Sequence, residues 1–264
     1  MSLTWQNKEP LFPDILWSRP ENKKLAGKIL LIGGNKNSFN LISTAFANVN
    51  QAGVGEARVV LPDSLKPLLQ DSFKGQVFVP STKTSEISRE ATQEIISLAN
   101  DANGILLPGD IGKNSETSTL VLDILKQLNQ QITLSGDSLQ LISTEVDFIV
   151  TRNNTCLVPN FSQLQQLFKQ IRYPKPVIST MPVQALADIL AEFTSLNSII
   201  IVTKHNNQVL VARGGKVSAT KHSTQLDDWQ VKTATLSSVF WLQNPGKPFE
   251  AITTGIFCAS NNEY

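Results

Sequence analysis

Short apolar runs bounded by glycine, proline and asparagine alternate along the chain with longer stretches whose apolar residues recur every three to four positions. The clearest unit spans Lys28 to Pro62. Ile29-Leu30-Leu31-Ile32 has the length and continuous apolarity of a buried strand, and Gly33-Gly34 break it. Leu41, Ala45, Phe46 and Val49 then fall at helical spacing between about Asn40 and Gln51, Gly53 stops that helix, and Ala57 to Leu61 reads as a second strand. A strand, a glycine turn, a helix and a strand in this order predict the βαβ block of a parallel sheet.

The same rhythm runs to the end. Pattern and punctuation predict strands at Gln76–Pro80, Ile105–Leu107, Gln131–Leu134, Cys156–Pro159 and Ser198–Thr203. They predict helices at Leu65–Leu69, Ile87–Asn100, Glu116–Asn129, Leu139–Ile142, Gln163–Ile171, Met181–Phe193, Thr233–Leu242 and Pro248–Cys258. Gln208–Ala212 and Lys216–Ala219, set off by Asn206-Asn207 and Gly214-Gly215, read as a β-hairpin. Residues 1–26 are polar and proline-containing with Trp5, Phe12, Ile15 and Trp17 interspersed, an arm expected to pack on the body through its aromatics. The strands are continuously apolar, so the sheet is expected to be mainly parallel with helices on both faces, a three-layer α/β/α arrangement. No linker or repeat interrupts residues 27–264, which read as one domain.

Composition narrows the function. With 23 Lys+Arg against 22 Asp+Glu there is no basic footprint for nucleic acid. The charged fraction of 17% lies below the usual quarter or so, and the low-charge surface suits self-association into a homo-oligomer. No apolar run approaches the roughly 20 residues of a membrane helix. The first residues show no signal-peptide pattern, and the two cysteines, Cys156 and Cys258, form no CxxC pair and suit a reducing compartment. A cytoplasmic protein without a membrane partner is expected.

Candidate chemistry gathers where strands end. Gly33-Gly34 is either an anion site at a helix N-terminus or a plain turn. Asn35, Asn37 and Asn40 are either ligand contacts or turn residues. Pro108-Gly109-Asp110-Ile111-Gly112 is a second glycine loop, with Asp110 a turn-former or an acid. Asp137 either orients a ligand or caps the helix at Leu139. Asn160 or Ser162 can cap the following helix, and Lys204 can meet a phosphate. His205 and His222 have no carboxylate at a catalytic or metal-binding spacing.

The order of these loops resembles the NAD(P)H-hydrate dehydratases, of the ribokinase-like superfamily. Trp17-Ser18-Arg19-Pro20, Asn22-Lys23 and Gly27 to Gly34 are similar to the family's entry, an Arg-Pro, a His-Lys-Gly and a strand ending in Gly-Gly. Gln51-Ala52-Gly53-Val54-Gly55 resembles its Gly-x-Gly, Leu107 to Gly112 its Gly-Pro-Gly-Leu-Gly, and Ser135-Gly136-Asp137-Ser138-Leu139 its Asp-Ala-Asp-Ala-Leu. Val158 to Gln163 and Val202 to His205 follow in the places of Thr-Pro-His-Pro-Gly-Glu and of the strand ending in Lys-Gly. The resemblance implies a ribokinase-like fold and a ligand contacted by Asn35, Asn40, Gly109, Asp110, Asp137, Asn160, Lys204 and Thr233.

The departures matter as much. The family's Gly-x-Gly-Asp loop, whose amides hold phosphate and whose aspartate is the base, falls on Val231-Lys232-Thr233-Ala234. Ala234 stands in the aspartate's place, and Asp227 and Asp228 come too early to replace it. Asn160 and Gln163 replace the family's histidine and glutamate, and Asn40-Leu41 replaces a Gly-Ala pair. Three functions follow from this. One is a catalytically impaired dehydratase-like protein that still binds a nucleotide such as ADP or ATP, or a related small molecule. Another is an active ADP- or ATP-dependent NAD(P)H-hydrate dehydratase using Mg2+. The third is a non-catalytic interaction or assembly module.

Overall fold

The computed structural model describes residues 3–69, 72–221 and 229–261. In chain order the elements are β1 (Leu3–Gln6), α1 (Pro13–Trp17), β2 (Lys28–Ile32), α2 (Asn40–Gln51), β3 (Glu56–Pro62), β4 (Gln76–Val79), α3 (Thr92–Asn100), β5 (Gly104–Leu107) and α4 (Ser115–Gln127). There follow β6 (Gln131–Ser135), α5 (Ser138–Leu141), α6 (Val146–Thr151), β7 (Thr155–Val158), α7 (Phe161–Gln170), α8 (Val183–Leu196), β8 (Ile200–His205), β9 (Gln208–Arg213), β10 (Lys216–Lys221), α9 (Trp229–Gln243) and α10 (Pro248–Asn261).

The strands form one 10-stranded sheet in the order β1-β10-β9-β8-β7-β6-β5-β2-β3-β4. The block from β8 to β4 is parallel, β9 is antiparallel to both its neighbours, and β1 lies parallel to β10 at the edge. Successive side chains of a strand point to opposite faces, so each apolar strand feeds two cores. Leu30 and Ile32 pack with α3 to α8, while Ile29 and Leu31 pack with α1, α2, α9 and α10. Full burial of one such side chain is worth about 1.5–3 kcal/mol.

Helix α9 is buried nearly all round, as expected of a helix with no polar face. It runs antiparallel to the parallel strands. Its last turn meets the start of β6, where Gln131 Nε2 donates to Trp241 O at 3.3 Å, and its first turn meets the end of β7, where Gln230 Nε2 donates to Val158 O at 2.6 Å. The N-terminus of α9 therefore faces the carboxyl ends of the strands.

The structure corrects several sequence expectations. The helix expected at Leu65–Leu69 is a single 3-10 turn at Asp63–Leu65, and a 3-10 turn at Arg89–Ala91 leads into α3. The arm contains an unforeseen strand, β1, whose partner β10 lies more than two hundred residues away in sequence and so leaves no local signal. Phe12 and Ile15 dock the arm, with Phe12 edge-on to Phe249 at 6.0 Å, whereas Trp17 is 88% exposed. Helix α6 was not expected, and α9 begins at Trp229 rather than Thr233. His222, Asp227 and Asp228 lie outside the described residues. No helix among the described residues is long and apolar enough to cross a membrane.

Candidate functional site

The carboxyl ends of β2, β5, β6, β7 and β8, with the start of α9, bring nearly all the candidate residues to one edge of the sheet. The turns after β2, β5 and β6 are packed against one another. A Cβ on Gly33 would stand 2.8 Å from Gly109 O, and a Cβ on Gly109, whose φ is +122°, would stand 2.7 Å from Leu41 Cδ1. These glycines are required because loops and the Leu41 side chain close on each other. The Gly33-Gly34 turn is thus a packed junction, with leucine where an open floor would lie.

The polar groups of this edge are largely spent on the chain itself. Asn35 Nδ2 donates to Asp110 O at 2.7 Å, and Asn35 Oδ1 accepts from the amides of Asn37 at 2.9 Å and Ser38 at 3.1 Å. Asp110 Oδ2 accepts from the amide of Leu41 at 2.8 Å, one of the first-turn donors of α2 that have no partner within the helix. Asp137 spans the second glycine loop, accepting from the amides of Ile111 at 3.3 Å and Gly112 at 3.1 Å. It occupies the N-cap position of α5 without capping it, so the capping role expected for its side chain is replaced by bracing the neighbouring loop. Glu86 holds the turn before α4 through the amides of Lys113 at 3.3 Å and Asn114 at 2.8 Å. Three carboxylates thus occupy backbone donors that would otherwise suit an anion.

Burial raises the Asp137 carboxyl above its ordinary pKa, assisted by the charge of Asp110, while the two amide bonds and Lys113 pull the other way. A raised folded pKa means the native state holds this proton more tightly than the unfolded chain. Its stabilising contribution is fully present below the unfolded value of about 3.9 and is lost as pH rises through the folded pKa. Acidification across that window should therefore move urea midpoints in favour of the wild type over Asp137→Asn. A difference between the two that does not change with pH would refute this assignment.

Asn160 caps a helix. Its Oδ1 accepts from Gln163 N at 2.9 Å while Gln163 Oε1 accepts from Asn160 N at 3.0 Å, a reciprocal capping box at the start of α7. Asn160→Ala should cost about 1 kcal/mol in denaturant unfolding; no measurable cost would contradict the capping role. Gln163 also donates to Gly136 O at 2.7 Å and accepts from Gln230 at 2.8 Å, tying the end of β6 to α9. Beside it opens a cavity of about 630 Å3 between α5 and α7, with Leu139, Ile142, Leu157 and Pro159 among its lining and Gln163 in its wall.

Towards β8, Lys204 Nζ lies 6.0 Å from the centre of the Trp229 ring, at the outer reach of a cation–π contact. His205 is buried, with Nε2 2.7 Å from Met181 O and its ring stacked on Phe161 at 4.8 Å, as a core histidine would be. Val231, Thr233 and Ala234, where the resemblance places a loop opening the helix predicted from Thr233, all lie inside α9, and all three are buried. The Thr233 hydroxyl has no hydrogen-bond partner among the described residues. Asn40, by contrast, is exposed at the start of α2. Glu86 and Gln230 were not foreseen. Each acts on loops remote from it in sequence, which local spacing does not report.

No protein-family profile matches the chain. Solved structures do. A ribokinase-like superfamily protein from Enterococcus faecalis V583 matches at TM-score 0.72 and 18% identity, over 99% of this chain and 87% of that one. An ADP/ATP-dependent NAD(P)H-hydrate dehydratase from Bacillus subtilis, co-crystallised with ATP/Mg2+ and soaked with CoA, matches at TM-score 0.69 and 13% identity, over 96% and 88%. A phosphomethylpyrimidine kinase from Clostridium difficile 630 matches at TM-score 0.56 and 10% identity, over 87% and 98%. The chain has the ribokinase-like fold.

Proposed function

We propose that this chain is a divergent NAD(P)H-hydrate dehydratase-like protein that has lost phosphoryl transfer and binds a small molecule or nucleotide without transforming it. The observation that carries the proposal is Ala234. The residue in the place of the family's aspartate is a fully buried alanine within α9, preceded by helical Val231, Lys232 and Thr233 where a glycine loop would stand. A general base contributes typically about 10²–10⁴-fold to such a reaction, and each donor to the developing charge about 10²–10³-fold. The carboxylates that remain near the strand ends, Asp110, Asp137 and Glu86, hold backbone amides instead.

The binding half of the proposal is supported by the cavity beside β7. Its volume of about 630 Å3 falls within the roughly 300–1,000 Å3 of small-molecule sites. Gln163 belongs both to its wall and to the bonds that reach Gln230 on α9. A thermal-shift series with ADP, ATP and NADPH tests this half. At 100 times its dissociation constant a ligand adds about 2.7 kcal/mol to stability. A saturable rise in Tm with one of the three is expected, and no rise with any would favour the interaction-module reading.

A further inference from the structure

At the other end of the sheet, a cleft of about 440 Å3 lies between the end of α8, the β9–β10 hairpin and the start of α10. Arg213, Lys216, Ser198, Asn153 and Glu250 are in its wall, and so is Gly214 of the Gly214-Gly215 turn that the strand-end site leaves unused. Arg213 is half-buried, and its guanidinium makes no hydrogen bond or ion pair among the described residues. Burial lowers its pKa, and Glu250 offsets part of that effect. Lys216 Nζ stands 3.9 Å from Glu250 Oε1 and 6.0 Å from the centre of the Phe249 ring. Gly214 and Gly246, both in the wall, have no heavy atom within 4 Å of where a Cβ would stand, so the backbone there is open to a ligand.

We propose that this cleft binds a phosphate- or carboxylate-bearing small molecule, gripped by Arg213 and Lys216. A guanidinium partly stripped of water, with Glu250 acting on it only at a distance and no hydrogen bond of its own among the described residues, has donors left to give, and its planar fork matches two oxygens of one oxoanion. The Ser198 hydroxyl and the Asn153 carboxamide have no side-chain hydrogen bond among the described residues, so they supply neutral donors beside it. Glu250 and the carbonyl end of α8 oppose an anion, so the two cations carry the recognition. The site is independent of the strand-end residues, and its test does not depend on whether they bind or catalyse.

Isothermal titration of the full chain with sodium phosphate and, separately, with sodium succinate tests the proposal, with ionic strength held constant by sodium chloride. Saturable binding of at least one is expected, and which one binds separates a phosphate ligand from a carboxylate. Arg213→Gln should weaken it by about tenfold or more, as loss of a charge-assisted bond does. Lys216→Gln should weaken it less. Glu250→Gln should tighten it by removing the opposing carboxylate, and a gain in affinity cannot come from misfolding. Absence of saturable heat with both anions would overturn the proposal, as would wild-type affinity in Arg213→Gln together with no tightening in Glu250→Gln.

Discussion

Arg152→Ala should lower the free energy of unfolding by about 3–4 kcal/mol, read as a fall in the urea midpoint, because it strips one guanidinium from several backbone acceptors at once. Arg152 is buried between the end of α4 and the start of β7. Its donors reach Leu125 O at 3.0 Å, Leu128 O at 2.6 Å, Gln130 O at 3.3 Å, Asn153 O at 3.0 Å, Asn154 O at 3.3 Å and Thr155 Oγ1 at 2.8 Å. The carbonyls include those that α4 cannot satisfy in its own last turn. Burial lowers the Arg152 pKa to about 10, so the group stays charged at neutral pH and its desolvation is offset only by these bonds. Arg152→Lys keeps the charge but not the planar fork, and should recover only a minor part of the loss. A midpoint unchanged in Arg152→Ala would mean that the staple contributes nothing.

The second large effect concerns Ala234. If Ala234 stands, as proposed above, where the NAD(P)H-hydrate dehydratases carry an aspartate, Ala234→Asp should destabilise the protein by more than about 3 kcal/mol and still give no ATP-dependent dehydration. The site is fully buried among Val231, Leu236 and Val239 of the same core, and an unpaired carboxylate there must either ionise without water or take up a proton. Activity should not return, because the preceding residues are helical and cannot form an amide-lined loop around phosphate. ATP-dependent dehydration by Ala234→Asp at a family-like rate would show that the helix opens readily, and would contradict this account of its closure.

What could be read from the sequence was what is encoded locally. The β2–α2–β3 unit emerged from apolar periodicity because its glycine turn and its two strands sit within one short stretch, and the capping role of Asn160 was already among its readings. β1 and the early start of α9 were not legible. The first depends on pairing with β10 at the far end of the chain, and the second on burial of α9 against the sheet, α2 and α10. The strand-end residues do share one edge of the sheet, but their hydrogen-bonding state was not readable. Asp110, Asp137 and Glu86 look alike in sequence as turn or surface acids, and only the approach of distant loops turns each into a clamp on amides. Leu41 could be read as standing where the resembled family has a smaller residue. That it closes on Gly109, and so converts a glycine turn from opening to junction, needed the fold.

The central claim is that this edge of a ribokinase-like fold no longer transfers phosphate. It is tested most directly by mixing the wild-type chain with hydrated NADPH, Mg2+ and either ADP or ATP, and following both NADPH formation and phosphate release. The account predicts that neither exceeds the rate without protein. Phosphate released in step with NADPH, at a rate typical of enzymes of about 1–10³ per second, would contradict it.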